Sequence, residues 1–357
     1  MANETTSTTD VPKPINAMFT RRFLERAAYF THYMKGTDGA SIVKHGGTAT
    51  GLWRRVNHIT PSTTALTELT GDTLPARTAQ SITVTDVTTA VSKYGQYLLL
   101  TEEADVLNFN GHTAEYWDVL AEQAGRTLNM VQRNEMEDNA TAVITAAGAS
   151  VGVAKTAIVV GDLDYVINTL AKNVASTFLN MAEGNDSVGT NPILPSFIGI
   201  CHPDVAYNVS KLSGFKSVES YAGQVDVMPN EFGYYGSAGL GVRFMSSPDS
   251  TIDSAAGGSA GSDVNGTSAA ADIYNTVIYG RHAVGSLGLG EKMPEEIMAA
   301  KADMAPIELI HKPFGSSGVA DALNELSSLG WKSWGAAKIL NGDWIRCIRS
   351  AATDLSN

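Results

Sequence analysis

The sequence predicts an α+β protein built around one long helix, and three stretches carry that prediction. Residues 113–144 keep helical spacing with almost no turn residues. Residues 51–100 are rich in Thr and β-branched side chains, and from residue 157 short apolar runs alternate with amphipathic ones. In the long helix, apolar residues recur at Trp117, Leu120, Ala121, Ala124, Leu128 and Val131, then at Met136, Ala140, Val143 and Ile144. Thr113 suits the N-cap, and Glu115 and Asp118 sit where the helix dipole favours carboxylates. At about 1.5 Å per residue such a rod is roughly 45–50 Å long, longer than a small domain is wide, so it reads as a spine. Gly125 inside it costs about 1 kcal/mol relative to Ala and marks a close crossing by another element. Ala146-Ala147-Gly148 is the expected end.

The remaining elements follow in chain order. Residues 1–15, Thr-rich with Pro12 and Pro14, cannot bury an apolar face and are expected to form a mobile arm. From Phe19, the residues Phe23, Leu24, Ala27, Ala28 and Phe30 give a short amphipathic helix with Arg21, Arg22, Glu25 and Arg26 among its polar positions. Leu52–Thr60 and Ser81–Val91 read as two strands of a long flap, linked through Gly71 and Pro75. Adjacent strand residues face opposite sides, so Arg54 and Arg55 cannot line one surface. They are either solvated or salt-bridged strand arginines, or members of an intersubunit ion pair with an acid such as Glu68. Tyr94–Thr101 is an apolar run leading into the spine.

Beyond the spine, Ala157–Val160 reads as a strand and Asp162 as the N-cap of a helix that buries Leu163, Val166, Ile167, Leu170 and Val174. Pro195–Cys201 is a buried strand, and Pro203 opens a helix to about Leu212. Gly241–Met245, Tyr274–Tyr279 and Ala305–His311 are of strand type. Asp249–Asp272, largely Ser, Gly, Ala, Thr and Asp, is expected to be a surface insertion. Trp331–Arg349 carries Asn341-Gly342, which favours a two-residue hairpin and places Trp331, Trp334 and Trp344 in it.

Concentrated chemistry is missing from this pattern. No GxxxxGK[ST] run exists, and the glycines of Gly236–Gly241 lack dinucleotide-loop spacing. The seven histidines form no HxH or HxxxH pair, there is no GxSxG elbow, and the adjacent acids Glu102-Glu103 and Glu295-Glu296 read as solvated faces or helix starts. Gly71-Asp72-Thr73-Leu74 reads as turn chemistry. No catalytic residue, cofactor or metal is expected. With 25 Lys and Arg against 37 Asp and Glu, the net charge of −12 argues against a protein devoted to gripping nucleic-acid phosphates. Cys201 and Cys347 are too few for a disulfide framework and suit a reducing compartment. The first residues show no signal-peptide pattern, and no apolar run of about 18 residues is long enough to span a bilayer.

Arm, short helix, β flap, spine, α/β lobe and return strands together resemble the Hong Kong 97-type fold of tailed-phage major capsid proteins. More narrowly, the chain is similar to the family found in podophages that carry a giant virion RNA polymerase. The stretches carrying this resemblance are Trp53–Pro75, Tyr94–Thr101, His202–Ala222, Asn230–Ser247 and Asp321–Arg349, where Leu329-Gly330-Trp331-Lys332 precedes the last strands. The resemblance implies an N-arm over 1–46, an E-loop over 47–100 and a P-domain with the spine over 101–150. It further implies an A-domain over 151–300 carrying the 249–272 insertion, and P-domain return strands with the terminal hairpin over 301–357.

It implies a structural protein and no enzyme: a virion subunit that self-assembles through hexamers and pentamers, in the host cytoplasm, into an icosahedral head around double-stranded DNA. Its partners would be copies of itself, with portal, scaffolding and decoration proteins beside them, DNA only in weak non-specific proximity, and no membrane. An encapsulin-like shell protein of a bacterial compartment is the alternative. Trp53, Arg54, Arg55 and Glu68 are the intersubunit contact candidates, and no position independently marks a crosslinking Lys–Asn pair.

Overall fold

In a computed structural model the long helix runs Thr113–Asn139, and two β-sheets are organised along it. The structure describes residues 23–42, 49–63, 80–106, 113–145, 150–178, 195–221, 230–289, 307–315 and 323–355, with residues 65 and 228, apart from positions 28, 58, 238, 261, 262 and 268. The expected arm, the 66–79 link with Glu68, the Ala146–Gly148 terminator and Glu295-Glu296 lie outside the described residues.

The strands are β1 (Asp38–Ile42), β2 (Thr50–Val56), β3 (Val84–Ala90), β4 (Ser92–Thr101), β5 (Thr141–Ile144), β6 (Ser196–Cys201), β7 (Phe215–Ser217), β8 (Glu231–Ser237) and β9 (Leu240–Ser246). They continue as β10 (Ile252–Asp253), β11 (Gly266–Thr267), β12 (Ala270–Ala271), β13 (Ile273–Tyr279), β14 (Val284–Leu289), β15 (Ile307–Lys312), β16 (Leu326–Ile339) and β17 (Ile345–Ser350).

The first sheet has β16 as its long member. Along one side β16 pairs antiparallel with β4 from Leu326 to Gly335. Along the other it pairs with β15 and then β14, which carries β1 in parallel. The first half of the spine packs on this sheet: Leu120, Ala121, Ala124 and Leu128 meet Leu329, Trp331 and Ile307, together with Phe23, Leu24 and Ala27. The Trp331 indole donates to Gln123 Oε1 at 2.7 Å, which fixes its orientation in that layer. Residues 23–27 form a turn of helix that crosses the spine at Gly125, where an added Cβ would lie 2.1 Å from the Ala27 carbonyl oxygen. The close crossing expected from that glycine is present.

The second sheet runs β5-β17-β13-β6-β9-β8-β7, with β10 beside β13. One face is covered by the Val160–Lys172 helix through Leu163, Val166, Ile167 and Leu170, and by the Pro203–Ser210 helix through Val205 and Val209. The other face packs Ile198, Ile200, Val277 and Tyr279 against Tyr33, Met136 and Ala140. Cys201 and Cys347 sit one on each side of this sheet, both unpaired and buried. Burial pushes both thiols up, Cys347 to about 12, so neither is a nucleophile at neutral pH.

Several expectations are corrected. The spine ends at Asn139, and Thr141–Ile144 instead forms β5, parallel to β17. Its run is β-branched and the edge of β17 is available, so sheet pairing wins over helical continuation. Ala157–Val160 is not a strand: Ala157 makes one isolated bridge to Ala351, and the helix already begins at Val160. Asp162 is not the N-cap but the third helical residue, and its carboxylate accepts the Val159 N–H at 3.1 Å. Val174 lies past the helix end, exposed and in the left-handed region at φ 54°.

The terminal hairpin does not form either. β16 and β17 belong to different sheets, and Asn341 is extended (φ −140°), whereas a type I′ turn needs positive φ at both central residues. Asn341 Oδ1 accepts from the Asp343 N–H and caps the single turn Gly342–Trp344, so the dipeptide redirects the chain between sheets.

The 249–272 stretch is less superficial than its composition suggests. Asp249 and Ser250 are buried, and β10 joins the large sheet. The β11–β12 ribbon is linked to the C-terminal tail, where Asn265 N donates to Ala352 O and Asp354 N donates to Asp263 O. Small residues are used here for close approach: a Cβ on Gly257 would meet the Ala154 carbonyl oxygen at 2.5 Å.

Candidate assembly interface

The flap is an antiparallel ribbon of β2 and β3, and β3 runs into β4 with only Val91 between them. Its two faces differ. Gly51, Trp53 and Arg55 turn toward the body of their own chain. The Trp53 ring covers Gly285, where a Cβ would lie 2.9 Å from it, and Leu287 fills the space that a Gly51 side chain would need. Arg55 Nη1 reaches Leu340 O at 3.5 Å, and its buried Nε–H has no acceptor among the described residues.

The opposite face carries Leu52, Arg54 and Val56 from β2 with Val84, Asp86 and Thr88 from β3. Arg54 and Asp86 pair side by side, at 2.9 and 3.1 Å, both exposed. The Arg54 guanidinium holds the Asp86 carboxyl below the usual carboxylate range. Around this pair the apolar residues have little cover: Leu52 is 54% exposed and Val56 61%, with Ile82 at 63% toward the far end. A two-stranded ribbon with an open apolar face is marginal by itself in water.

Arg54 and Arg55 thus point to opposite sides, as strand geometry requires. The chain brings Arg54 to Asp86 and Arg55 to the β16–β17 connection, while Glu68 lies outside the described residues. The sequence reading did not single out Leu52, Val56 and Val84, although their spacing around Arg54 and Asp86 already placed them on one face.

A second open area lies on the first sheet, on the side away from the spine. Tyr97 and Leu99 of β4 are 64% and 58% exposed, beside Trp334 and Leu326 of β16. Lys93 lies over the Trp334 ring at 5.7 Å, and Lys332 pairs with Glu308 at 3.1 Å. Between flap base and spine, an open cleft of about 420 Å³ is lined by Thr89, Ser92, Tyr94, Glu135 and Asp138 among others. Its Glu135 carboxylate is already engaged, by Lys338 Nζ at 3.0 Å and Asn139 Nδ2 at 2.8 Å. Among the described residues no group of three or more His, Cys, Asp or Glu is placed to hold a metal, and no helix is long and apolar enough to cross a membrane.

No family model matches the sequence, and no curated protein matches it. Solved structures do. The head structure of Helicobacter pylori bacteriophage KHP40 matches at 12% identity and TM-score 0.56, covering 90% of this chain and 91% of that one. The capsid of Ralstonia phage GP4 matches at 9% identity and TM-score 0.55, covering 92% and 91%. The capsid of a native GTA particle matches at 10% identity and TM-score 0.51, covering 92% and 91%. The chain therefore has the fold of tailed-phage capsid proteins, the Hong Kong 97-type fold, along nearly its whole length. At such low identity the likeness is one of fold.

Proposed function

We propose that this chain is a major capsid protein, a structural subunit that self-assembles through hexamers and pentamers into the icosahedral head of a tailed phage. The observation that carries the reading is the flap. It is held to its own chain by one face and leaves Leu52, Val56 and Val84 open on the other, as a subunit that finishes folding against a neighbour would. Arg54 lies on this open face, its pair with Asp86 giving the apolar patch a polar centre, whereas Trp53 and Arg55 act from the side that fastens the flap to its own chain; Glu68 is kept as a proposed member of the intersubunit zone. The flap is the proposed E-loop and the spine with the first sheet the proposed P-domain, a division that draws β1, β4 and β14 to the P-domain and leaves β5 and β17 with the second sheet.

The role is structural and not enzymatic, its place is the virion after assembly in the host cytoplasm, and double-stranded DNA is enclosed without tight binding. Portal, scaffolding and decoration proteins are the expected further partners. The narrower kinship with podophages carrying a giant virion RNA polymerase rests on the sequence stretches quoted above.

The test is Leu52→Asp with Val56→Asp, two exposed positions where charge costs little in the isolated subunit. Light scattering should show the wild-type protein in capsomers or shells, and the double variant folded but confined to monomers or small oligomers. Normal assembly of the variant contradicts the assignment of this face. An encapsulin-like shell would also assemble, but it would enclose protein cargo and no double-stranded DNA.

A further inference from the structure

β4 closes one side of the first sheet, and its outer edge is built unlike the other ends of the two large sheets. It pairs with β16 alone, in unbroken register from Ser92 to Thr101, and its second edge has no backbone partner among the described residues. The strand holds no proline and no bulge. Tyr94, Leu98 and Leu100 pack toward the spine, while every other residue of β4 is exposed. Lys93 is its only charge, and that ammonium is turned over the Trp334 ring of its own sheet.

The other ends are short or charged. β1 has five residues, β5 four and β7 three. β15 has six, and Glu308, His311 and Lys312 among them are exposed. Proteins that stay apart blunt their sheet edges in these ways, with short strands, charges, prolines or bulges, because a long bare edge is a template for another strand. β4 carries none of these devices.

We propose that this edge joins β4 of a second copy, antiparallel, about a two-fold axis normal to the sheet, so that the first sheets of two subunits become one. The inference rests on the reading of the chain as a self-assembling subunit and names one of its contacts.

A strand that pairs with its own copy needs no second, different surface, and the contact closes on itself. An axis normal to the sheet also keeps both spine helices on one side of the joined sheet, as a wall with an inside and an outside requires. Opposed residues then share a face, so odd-numbered residues meet odd-numbered ones. Two registers keep nearly the whole strand paired. Centred on Gln96, the ladder would set Leu99 against Lys93. Centred on Tyr97, it brings the two Tyr97 rings side by side, sets Leu99 against Gly95, where no side chain stands, and places Lys93 against Thr101. The second register is the one the side chains favour. Main-chain hydrogen bonds would supply the affinity, and the alternate side chains the register.

Directly opposed residues of an antiparallel pair have Cα atoms about 4.5–5.5 Å apart, within disulfide reach. Only a residue at the axis can link to its own copy. The test is therefore Tyr97→Cys in the full chain, mildly oxidised and run on a non-reducing gel. Val119→Cys on the spine is the control, because Val119 is 63% exposed against 64% for Tyr97. Cys201 and Cys347 are buried and stay out of the reaction. Most Tyr97→Cys chains should run as covalent dimers, and few of the control. Shells that form without the link overturn the pairing and leave the proposed function standing, whereas a wild type that stays monomeric overturns both. If Tyr97→Cys does not fold, Tyr97→Lys and Tyr97→Glu decide. Each alone should assemble about tenfold less readily, because like charges face each other across the axis, and an equimolar mixture should recover. Unimpaired assembly of either variant, or a mixture no better than its parts, overturns the pairing.

Discussion

Gly125 shows how much one residue settles. A glycine in the interior of a helix is costly enough to need a reason, and the reason is the Ala27 carbonyl lying where its side chain would be. Gly125→Ala should therefore lower stability by about 1–3 kcal/mol despite the better helix propensity of Ala, because the obstacle is backbone and cannot rotate away. Thermal denaturation checks this, and an unchanged or higher Tm would mean that the 23–27 turn does not rest on the spine.

Other residues at this scale were not legible. Asn129, Gln132 and Glu137 read as the polar side of an amphipathic helix, yet all three are buried. Their neighbours come from distant parts of the chain: Asn129 holds Tyr33 and Asp249, and Glu137 holds Tyr33 and Thr251. Periodicity reports which face is apolar, but it cannot report a polar face that meets another polar surface.

At the scale of elements, strands with short, continuous apolar runs are readable and their connections are not. β6, β9, β13 and β15 lie close to where the apolar runs placed them. Asn341-Gly342 suits a hairpin locally, yet β17 finds its partners in β5 and β13. Local turn chemistry was outweighed by burial on both faces of a larger sheet. Similarly, the spine gave up Thr141–Ile144 to a strand edge that no window of local sequence contains.

The flap was readable as a ribbon, and its independence can be tested. The Val91 N–H donates to Ala49 O at 2.9 Å, so the two ends of the ribbon already meet. Deleting Leu52–Val91 and closing the gap with a short linker should leave a folded, soluble monomer that forms no shells. Size-exclusion chromatography with circular dichroism distinguishes this from two contrary results, normal assembly or loss of folding.

For the whole molecule, charge and fold bear on the same role. A chain of net charge −12 is poorly suited to neutralising phosphates, and a container for DNA needs no tight grip on its contents. Binding of the purified subunit to double-stranded DNA should be weak at about 0.15 M salt; tight binding with a steep salt dependence would contradict this. The fold was legible from the order of arm, flap, spine and lobe more than from any single motif. The open face of the flap is less so, because Leu52, Val56 and Val84 are ordinary strand residues until the ribbon shows which of its faces is left uncovered.

On the proposed function, the chain is a tile that closes with copies of itself. Electron microscopy of the expressed full-length protein tests it most directly. Closed, regularly sized icosahedral shells or their hexameric and pentameric capsomers are the expected result, and a monodisperse monomer at high protein concentration would contradict it.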